Sequence, residues 1–477
     1  MDLKFGTSGL RGLATDLTRD VCHLYVGAFL DLLANRGQLH DALCIGRDLR
    51  PSSPEIAAWC AEAAAARGIG VVNAGTVPTP AVARYALMRG LPAIMVTASH
   101  NPVAHNGLKF YRPDGELMKD DEAPIQAIVA AGAPLSVSTP FALPQAQRRV
   151  ATEYVESYVS LFPADCLKGL RLGIDQHSAV GGMLLLEVLT ALGADCTVVR
   201  RSDSFIAVDT EALEPSHLAL AEGWLRDGGY DAIVSTDGDG DRPLLLNAEG
   251  RQVPGDVLGI LAARYLGYNH VVTPVSSTSA VERCGVFDSV ERTRIGSPFV
   301  IAAMQQRMAE TGSAVAGFEG NGGFLTGGNH AWRGRTLAPL MTRDAILPLL
   351  AVLAMAREWR ISLVDLVARL PAGAKATGRL ADIDTARARS WIDTLVASER
   401  ERSRAIPVLS GTTEIVTLDG AKFLLGDGSS IHFRLSGNAP ELRCYVECPD
   451  AGRANAQLML ALDVARASLA DRAMRAV

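Results

Sequence analysis

Asp237, Asp239 and Asp241 stand at alternate positions in the segment Asp237-Gly-Asp-Gly-Asp-Arg242. Three carboxylates this close repel one another unless a cation sits among them. The glycines between them let the backbone turn tightly, so the side chains supply hard oxygen ligands suited to Mg²⁺. A calcium loop of the EF-hand type is the competitor. Counted from Asp237, it needs Gly where Arg242 stands and Glu where Ala248 stands, and a strand pattern precedes it instead of a helix. Mg²⁺ commonly shares its shell with a phosphate, so a phosphoryl oxygen is the expected further ligand, with Arg242 placed to neutralise it.

Ser99 lies in Thr97-Ala-Ser-His-Asn-Pro102, directly after the apolar run AIMV. Ligands of open α/β sheets gather beyond the carboxyl ends of strands, which puts Ser99 in a functional position. Taken alone, the same residues also describe a simple turn. In Arg434-Leu-Ser-Gly-Asn-Ala-Pro-Glu-Leu-Arg443, two arginines flank Ser436, Gly437 and Asn438. Hydroxyl, amide and backbone N–H groups there can wrap an anion, and arginine suits bidentate phosphate recognition. As an isolated string it reads equally well as a solvated turn. Glu319 and Asn321, in Gly317-Phe-Glu-Gly-Asn-Gly-Gly323, have the chemistry to hydrogen-bond vicinal hydroxyls of a sugar ring, although the glycines alone establish only flexibility. The segment Phe5-Gly-Thr-Ser-Gly-Leu-Arg-Gly12 lacks the G-x-x-x-x-G-K-[ST] pattern of a nucleotide loop, so Arg11 reads as aimed at a phosphate.

The elements that must position these residues follow from apolar periodicity. From Ala42 to Asn101, short apolar runs alternate with Ala-rich amphipathic segments, the pattern of a parallel sheet covered by helices. It returns from Leu170 to Val199, as LRLGID, MLLLEVLTALG and CTVV, and again from His270 to Gly317. Beyond Pro371 the text becomes TTEIVTL, AKFLL, SSIHFRL and ELRCYVE, short strands followed by one long helix from about Arg453. The fold class is α/β: three successive α/β mixed-sheet domains, then a smaller α+β domain, around a central cleft. The expected boundaries are 1–147, 148–252, 253–370 and 371–477, with linkers at Ala130–Gln147 and Pro371–Thr377.

Bulk properties narrow the class. The 477 residues are 48% hydrophobic and 21% charged, the balance of ordinary globular proteins. A net charge of −6 argues against nucleic acid or an anionic membrane as partner. The longest apolar run, Ala345–Ala356, contains Pro348 and falls short of the ~20 residues that span a bilayer, so it reads as a buried helix. No signal segment is evident, and the eight scattered cysteines fit neither a zinc site nor a disulfide framework, so a cytoplasmic protein with reduced thiols is expected. Nothing marks a protein partner.

Together, and in this order, these segments resemble the α-D-phosphohexomutase superfamily, whose members carry FGTSGxRG, TASHNP, DGDGDR, a Glu-containing sugar loop and a carboxyl-terminal R-x-SG loop. The resemblance spans the whole chain. It implies a phosphoserine at Ser99, whose phosphoryl oxygen binds Mg²⁺ together with Asp237, Asp239 and Asp241. It implies that Arg11 and Arg242 stabilise the phosphoryl charge, that His100 belongs to the catalytic set, and that Lys109 matches a family lysine assisting proton transfer. Glu319 and Asn321 would read sugar hydroxyls, while Arg434, Ser436, Gly437, Asn438 and Arg443 would hold the nonreacting phosphate. The implied reaction moves phosphate between the two ends of a hexose phosphate through a hexose 1,6-bisphosphate, which is both intermediate and activator.

Two departures from the pattern stand out. Relatives with Glu-x-Ser-Gly-His in the sugar loop have a His where this chain has Gly323, and relatives with SGTEP in the phosphate loop have Thr and Glu where Asn438 and Ala439 stand. Asn can still donate a hydrogen bond to phosphate. The variants Glu-x-Asn-Gly-Gly and SGNAPELR are similar to bacterial phosphomannomutases, and TASHNP begins with Thr where glucosamine mutases usually have Ser. The implied activity is therefore that of a phosphomannomutase, with phosphoglucomutase or dual activity as the alternative. In another class, a sugar phosphatase that forms phosphoserine stays open.

Overall fold

The computed structural model describes residues 3–6, 9–132, 141–436 and 440–470. It divides into two compact units, one of Met1–Val272 with Gly296–Arg369 and one of Thr273–Ile295 with Leu370–Val477.

In the first unit the apolar runs become strands. Ala42–Arg47, Gly70–Thr76 and Ala93–Val96 pair in parallel, with the 42–47 strand in the middle. The sheets are mixed, as expected, because the chain leaves the last parallel strand and folds straight back. His105–Arg112 returns antiparallel against Ala93–Val96, and Leu10–Leu13 pairs on its far side. A second sheet repeats the plan. Asp195–Arg201, Arg171–His177 and Ala232–Thr236 are parallel, and Pro243–Asn247 returns antiparallel along the whole of Ala232–Thr236. A third follows, with His270–Pro274 parallel to Val315–Phe318 and Phe324–Gly327 folding back against the latter. Each reversal is the loop that carries one of the sequence motifs.

The helices cover these sheets with apolar faces. Helix Arg19–Asn35 is capped by the Thr18 hydroxyl, which accepts from Val21 N–H, and buries Val26, Phe29, Leu30 and Leu33 in the first core. The expected buried helix is present as Ile346–Trp359; it is enclosed from Ile346 through Ala356 and packs on helix Gly255–Leu266. Among the described residues no helix is long and apolar enough to cross a membrane.

The second unit carries an antiparallel sheet in the order Ala374–Leu380, Leu442–Cys448, Ser430–Leu435, Ala421–Leu425, Thr412–Val416, with the long helix Ala451–Leu469 packed on it. Here one expectation fails. The stretch read as a linker at Pro371–Thr377 runs into strand Ala374–Leu380, which pairs with Leu442–Cys448 over its full length. Its small residues hide the alternation, and the ladder to a strong neighbour overrides weak local propensity. Of the other expected linker, 133–140 lies outside the described residues, while Phe141 and Leu143 pack against the first core.

His432 is buried in this sheet, stacked on Tyr445, with Nε2 2.6 Å from the Asp419 carbonyl and Nδ1 enclosed without a partner. Burial lowers its pKa from 6.5 to about 4, with Lys422 and Arg434 adding to the effect and the Asp419 carbonyl opposing it. A depressed folded-state pKa means the unfolded chain takes up the proton first, so stability falls as pH drops from 6.5 to 4. His432→Gln, which keeps a donor for Asp419, should flatten that fall by up to about 3 kcal/mol. Urea midpoints between pH 4 and 7, read through Trp391 beside Phe433, check this.

Candidate active site

The Asp237–Arg242 turn joins strands Ala232–Thr236 and Pro243–Asn247 and is almost fully buried. Gly240 has φ +72°, and a Cβ there would stand 2.9 Å from Pro78; one at Gly238 would stand 3.0 Å from the Ser99 carbonyl oxygen. Glycine is therefore needed for the turn and for the approach of the serine loop.

Asp237 is engaged through both oxygens, whereas Asp239 and Asp241 are each engaged through one. Asp237 Oδ1 accepts from the Asp241 and Arg242 N–H groups, and its Oδ2 accepts from Ser99 Oγ at 2.6 Å. Asp239 Oδ2 accepts from Thr79 Oγ1 and Lys109 Nζ, both at 2.5 Å. Asp241 Oδ2 accepts from Lys109 Nζ at 2.7 Å and from Arg343 Nη2 at 2.8 Å. Asp239 Oδ1 and Asp241 Oδ1 are buried without a partner. One ligand atom from each of the three residues lies within 4.8 Å of the others. Unmatched anionic oxygens so close together fit a small oxygen-loving cation, so the residues present suit Mg²⁺.

The electrostatics are consistent with this division. Burial and the charges of Asp239 and Asp241 push Asp237 well above the usual carboxylate range. Burial acts the same way on Asp239 and Asp241, but Lys109 outweighs it at Asp239, and Arg343, Lys109 and Arg242 outweigh it at Asp241, so both lie below that range. His100 Nδ1 is 3.3 Å from Ser99 Oγ; burial, then Arg242 and Arg11, take its pKa down to about 2, leaving a neutral ring. Arg11, on strand Leu10–Leu13, is lowered to about 10 by burial and by Arg242 and Arg343. The Nε atoms of Arg11 and Arg242 are both buried without a partner, although Arg242 Nε lies 3.7 Å from Asp241 and 3.9 Å from Asp237. Two crowded guanidiniums with open donors form a receptor for an oxyanion.

The expected residues Ser99, His100, Lys109, Arg11, Arg242 and the three aspartates thus converge, and Glu319 joins them through Arg343, whose Nη1 donates to it at 3.0 Å. Asn321 is turned into its own loop, its Oδ1 accepting the Gly323 N–H at 2.9 Å and its carbonyl accepting from Thr210. Sequence reasoning missed Arg343, and also Asp48, Arg50 and Thr79. For the first three, the signal was a charged residue within or just past an apolar strand run, in GRDLR and LMTRD.

In the second unit, Arg434 and Arg443 are direct cross-strand partners, and Arg379 extends the row across a third strand. Like charges in one row oppose one another, and acidic side chains offset them: Asp419 on Arg434 at 2.9 Å, and Glu441 on Arg379 at 3.0 Å and on Arg443 at 3.3 Å. The Ser436 N–H bonds the Glu441 carbonyl at 2.9 Å. Gly437 and Asn438 lie outside the described residues. Arg379 was a further residue that the motif did not include.

Four family models match the chain in order: phosphoglucomutase/phosphomannomutase alpha/beta/alpha domain I over residues 2–135, domain II over 152–250, domain III over 254–373, and the C-terminal domain over 368–463. The chain is 41% identical over 479 residues to a phosphomannomutase of Sinorhizobium fredii, covering 98% of this chain and 100% of that one. It is 29% identical over 493 residues to a phosphoglucosamine mutase of Sorangium cellulosum, covering 98% and 93%. A phosphoglucomutase/phosphomannomutase family protein of Burkholderia thailandensis has the same fold, with a TM-score of 0.75 at 22% identity over 97% of each chain. The chain belongs to the phosphoglucomutase/phosphomannomutase family, within the α-D-phosphohexomutase superfamily. It is an isomerase, an intramolecular phosphotransferase acting on hexose phosphates, in a metal-dependent family.

At Gly323 a Cβ would stand 2.5–2.9 Å from the stem of Arg343. The absent side chain and the arginine exclude each other. Gly323→Ala is therefore expected to push Arg343 away from Asp241 and Glu319 and to lower turnover by about 10-fold to 100-fold, since small misplacements at a site cost that much. Steady-state rates at saturating metal, alongside an unchanged far-UV spectrum, test this.

Proposed function

We propose that the chain interconverts mannose 6-phosphate and mannose 1-phosphate through a phosphoserine at Ser99 and a hexose 1,6-bisphosphate, which also primes the enzyme. The observation that carries this reading is the position of Ser99 Oγ, 2.6 Å from a carboxylate of the acidic cluster. The open guanidinium donors of Arg11 and Arg242 lie beside the same cluster. A nucleophile set among cations and metal-ligating carboxylates, with the neighbouring His100 ring held at a pKa of about 2 and so a poor base, is suited to phosphoryl transfer, which depends on positioning and charge stabilisation. Similarity to the Sinorhizobium phosphomannomutase supports mannose as the sugar.

Mg²⁺ would be held by Asp237, Asp239, Asp241 and a phosphoryl oxygen on Ser99, where it would supply charge neutralisation. The chain's own residues do the rest. Arg11 and Arg242 hold the phosphoryl oxygens. Lys109, with two of its three donors on Asp239 and Asp241, keeps one for the reacting oxygen and assists its proton transfer. His100 fills the wall beside Ser99 as a neutral group. Glu319, oriented by Arg343, reads the sugar hydroxyls together with Asn321. The arginine row with Ser436, Gly437 and Asn438 holds the nonreacting phosphate. The cytoplasm is the proposed location, in keeping with eight free thiols.

A coupled assay with Mg²⁺ and glucose 1,6-bisphosphate, offering mannose 1-phosphate, glucose 1-phosphate and glucosamine 1-phosphate separately, tests the reading. Mannose 1-phosphate should turn over with little free phosphate released, Ser99→Ala should lose at least about 1,000-fold in kcat, and chelation should abolish activity. Preference for glucosamine would replace the sugar assignment, and phosphate release at the isomerisation rate would replace the mutase by a phosphatase.

A further inference from the structure

Ser99 sits at φ +54°, in the left-handed region that a residue with a Cβ keeps only when its surroundings hold it there. The holding group is Arg50, which is 1% exposed. All five of its N–H donors are used. Nη2 donates to the carbonyls of Ser99 at 2.8 Å and Asn101 at 2.6 Å, and Nη1 to those of Pro102 at 2.7 Å and His105 at 2.9 Å. Nε donates to Asp48 Oδ2 at 3.1 Å. The same Asp48 oxygen accepts from Thr97 Oγ1 at 2.7 Å, and that hydroxyl oxygen accepts the Ser99 N–H at 2.9 Å. One guanidinium and one carboxylate therefore grip the serine loop from both ends of its backbone.

The open face of Arg50 is closed by the connection that follows strand Asp195–Arg201. The Phe205 ring lies 4.1 Å from the guanidinium carbon, and a Cβ at Gly238 in the acidic turn would stand 3.2 Å from that same ring. Phe205 thus touches the clamp of the serine loop on one side and the backbone of the carboxylate turn on the other. A cation under an aromatic face is stabilised and kept from water.

We infer that Arg50 is the positioning residue of Ser99, and that Phe205 locks it, so that the serine loop and the metal-binding turn are aligned by one stacked contact between the first two α/β domains. The inference rests on the reading of Ser99 as the phosphoryl carrier. Neither residue touches substrate; both act through the backbone of the loop. Lysine cannot substitute, because three donors from a single atom do not span four carbonyls.

The test uses the full-length enzyme primed with glucose 1,6-bisphosphate and Mg²⁺. Phosphorylation at Ser99 is counted by intact mass, and the rate is expressed per phosphorylated molecule. Arg50→Lys should lower that rate by about 30-fold or more, with KM for mannose 1-phosphate within about 3-fold, because displacement of a nucleophile acts on kcat. Phe205→Ala, which leaves the buried core intact, should lower it by about 5-fold, and both should speed amide exchange across residues 99–105. A normal rate per phosphorylated molecule, with only the phosphorylated fraction reduced, would assign Arg50 to fold stability and overturn the inference. If Ser99→Ala keeps full turnover, the phosphoserine reading fails separately; amide exchange then decides the clamp, which unchanged protection in both variants would remove.

Discussion

Three carboxylates enclosed within a few ångströms of one another, away from water, are the constraint around which the first unit is built. Mutual repulsion in a poorly screened setting is large, and no single partner offsets it. The protein meets it by importing cations from several elements. Lys109 comes from the first sheet and Arg343 from the third, while Arg242 comes from the turn itself. Lys109 and Arg343 spend their hydrogen bonds on the Oδ2 atoms of Asp239 and Asp241 and leave both Oδ1 atoms without one. The fold is thus charge-compensated while still presenting two anionic oxygens to a metal.

That compensation explains why the site cannot be built by one sheet. The Thr79 hydroxyl from the first layer and the acidic turn from the second are tied by a short hydrogen bond, and Arg343 ties that turn to Glu319 in the third. Ion pairs buried this deeply are costly to break singly, because each leaves a charge without a partner. Packing of the layers and readiness of the site are one equilibrium.

The sequence was most readable where chemistry and backbone demands coincide. The acidic turn shows its carboxylates and its obligatory glycines in one hexapeptide, and the serine loop follows a four-residue apolar strand. What stayed hidden were long-range partners. Arg343 and Arg50 lie far along the chain from what they hold, in segments whose local pattern says only "strand end". Arg379 was overlooked because the first part of its strand was read as a linker ending at Thr377, and the row it forms exists only in the ladder register. Which strand of each mixed sheet reverses was not readable, since a strand that reverses has the same apolar spacing as one that continues a parallel series.

The hairpin origin of the three loops has a consequence for how such a protein diversifies. Each loop leaves and re-enters its sheet through two strands already fixed in register, so the ladder holds its ends while its content meets the neighbouring loops. At Gly323 the space that a side chain would need is filled by the stem of Arg343, which also reaches the acidic turn. Such an architecture anchors the loops separately but couples their contents, so a side chain changed in one is felt in the next.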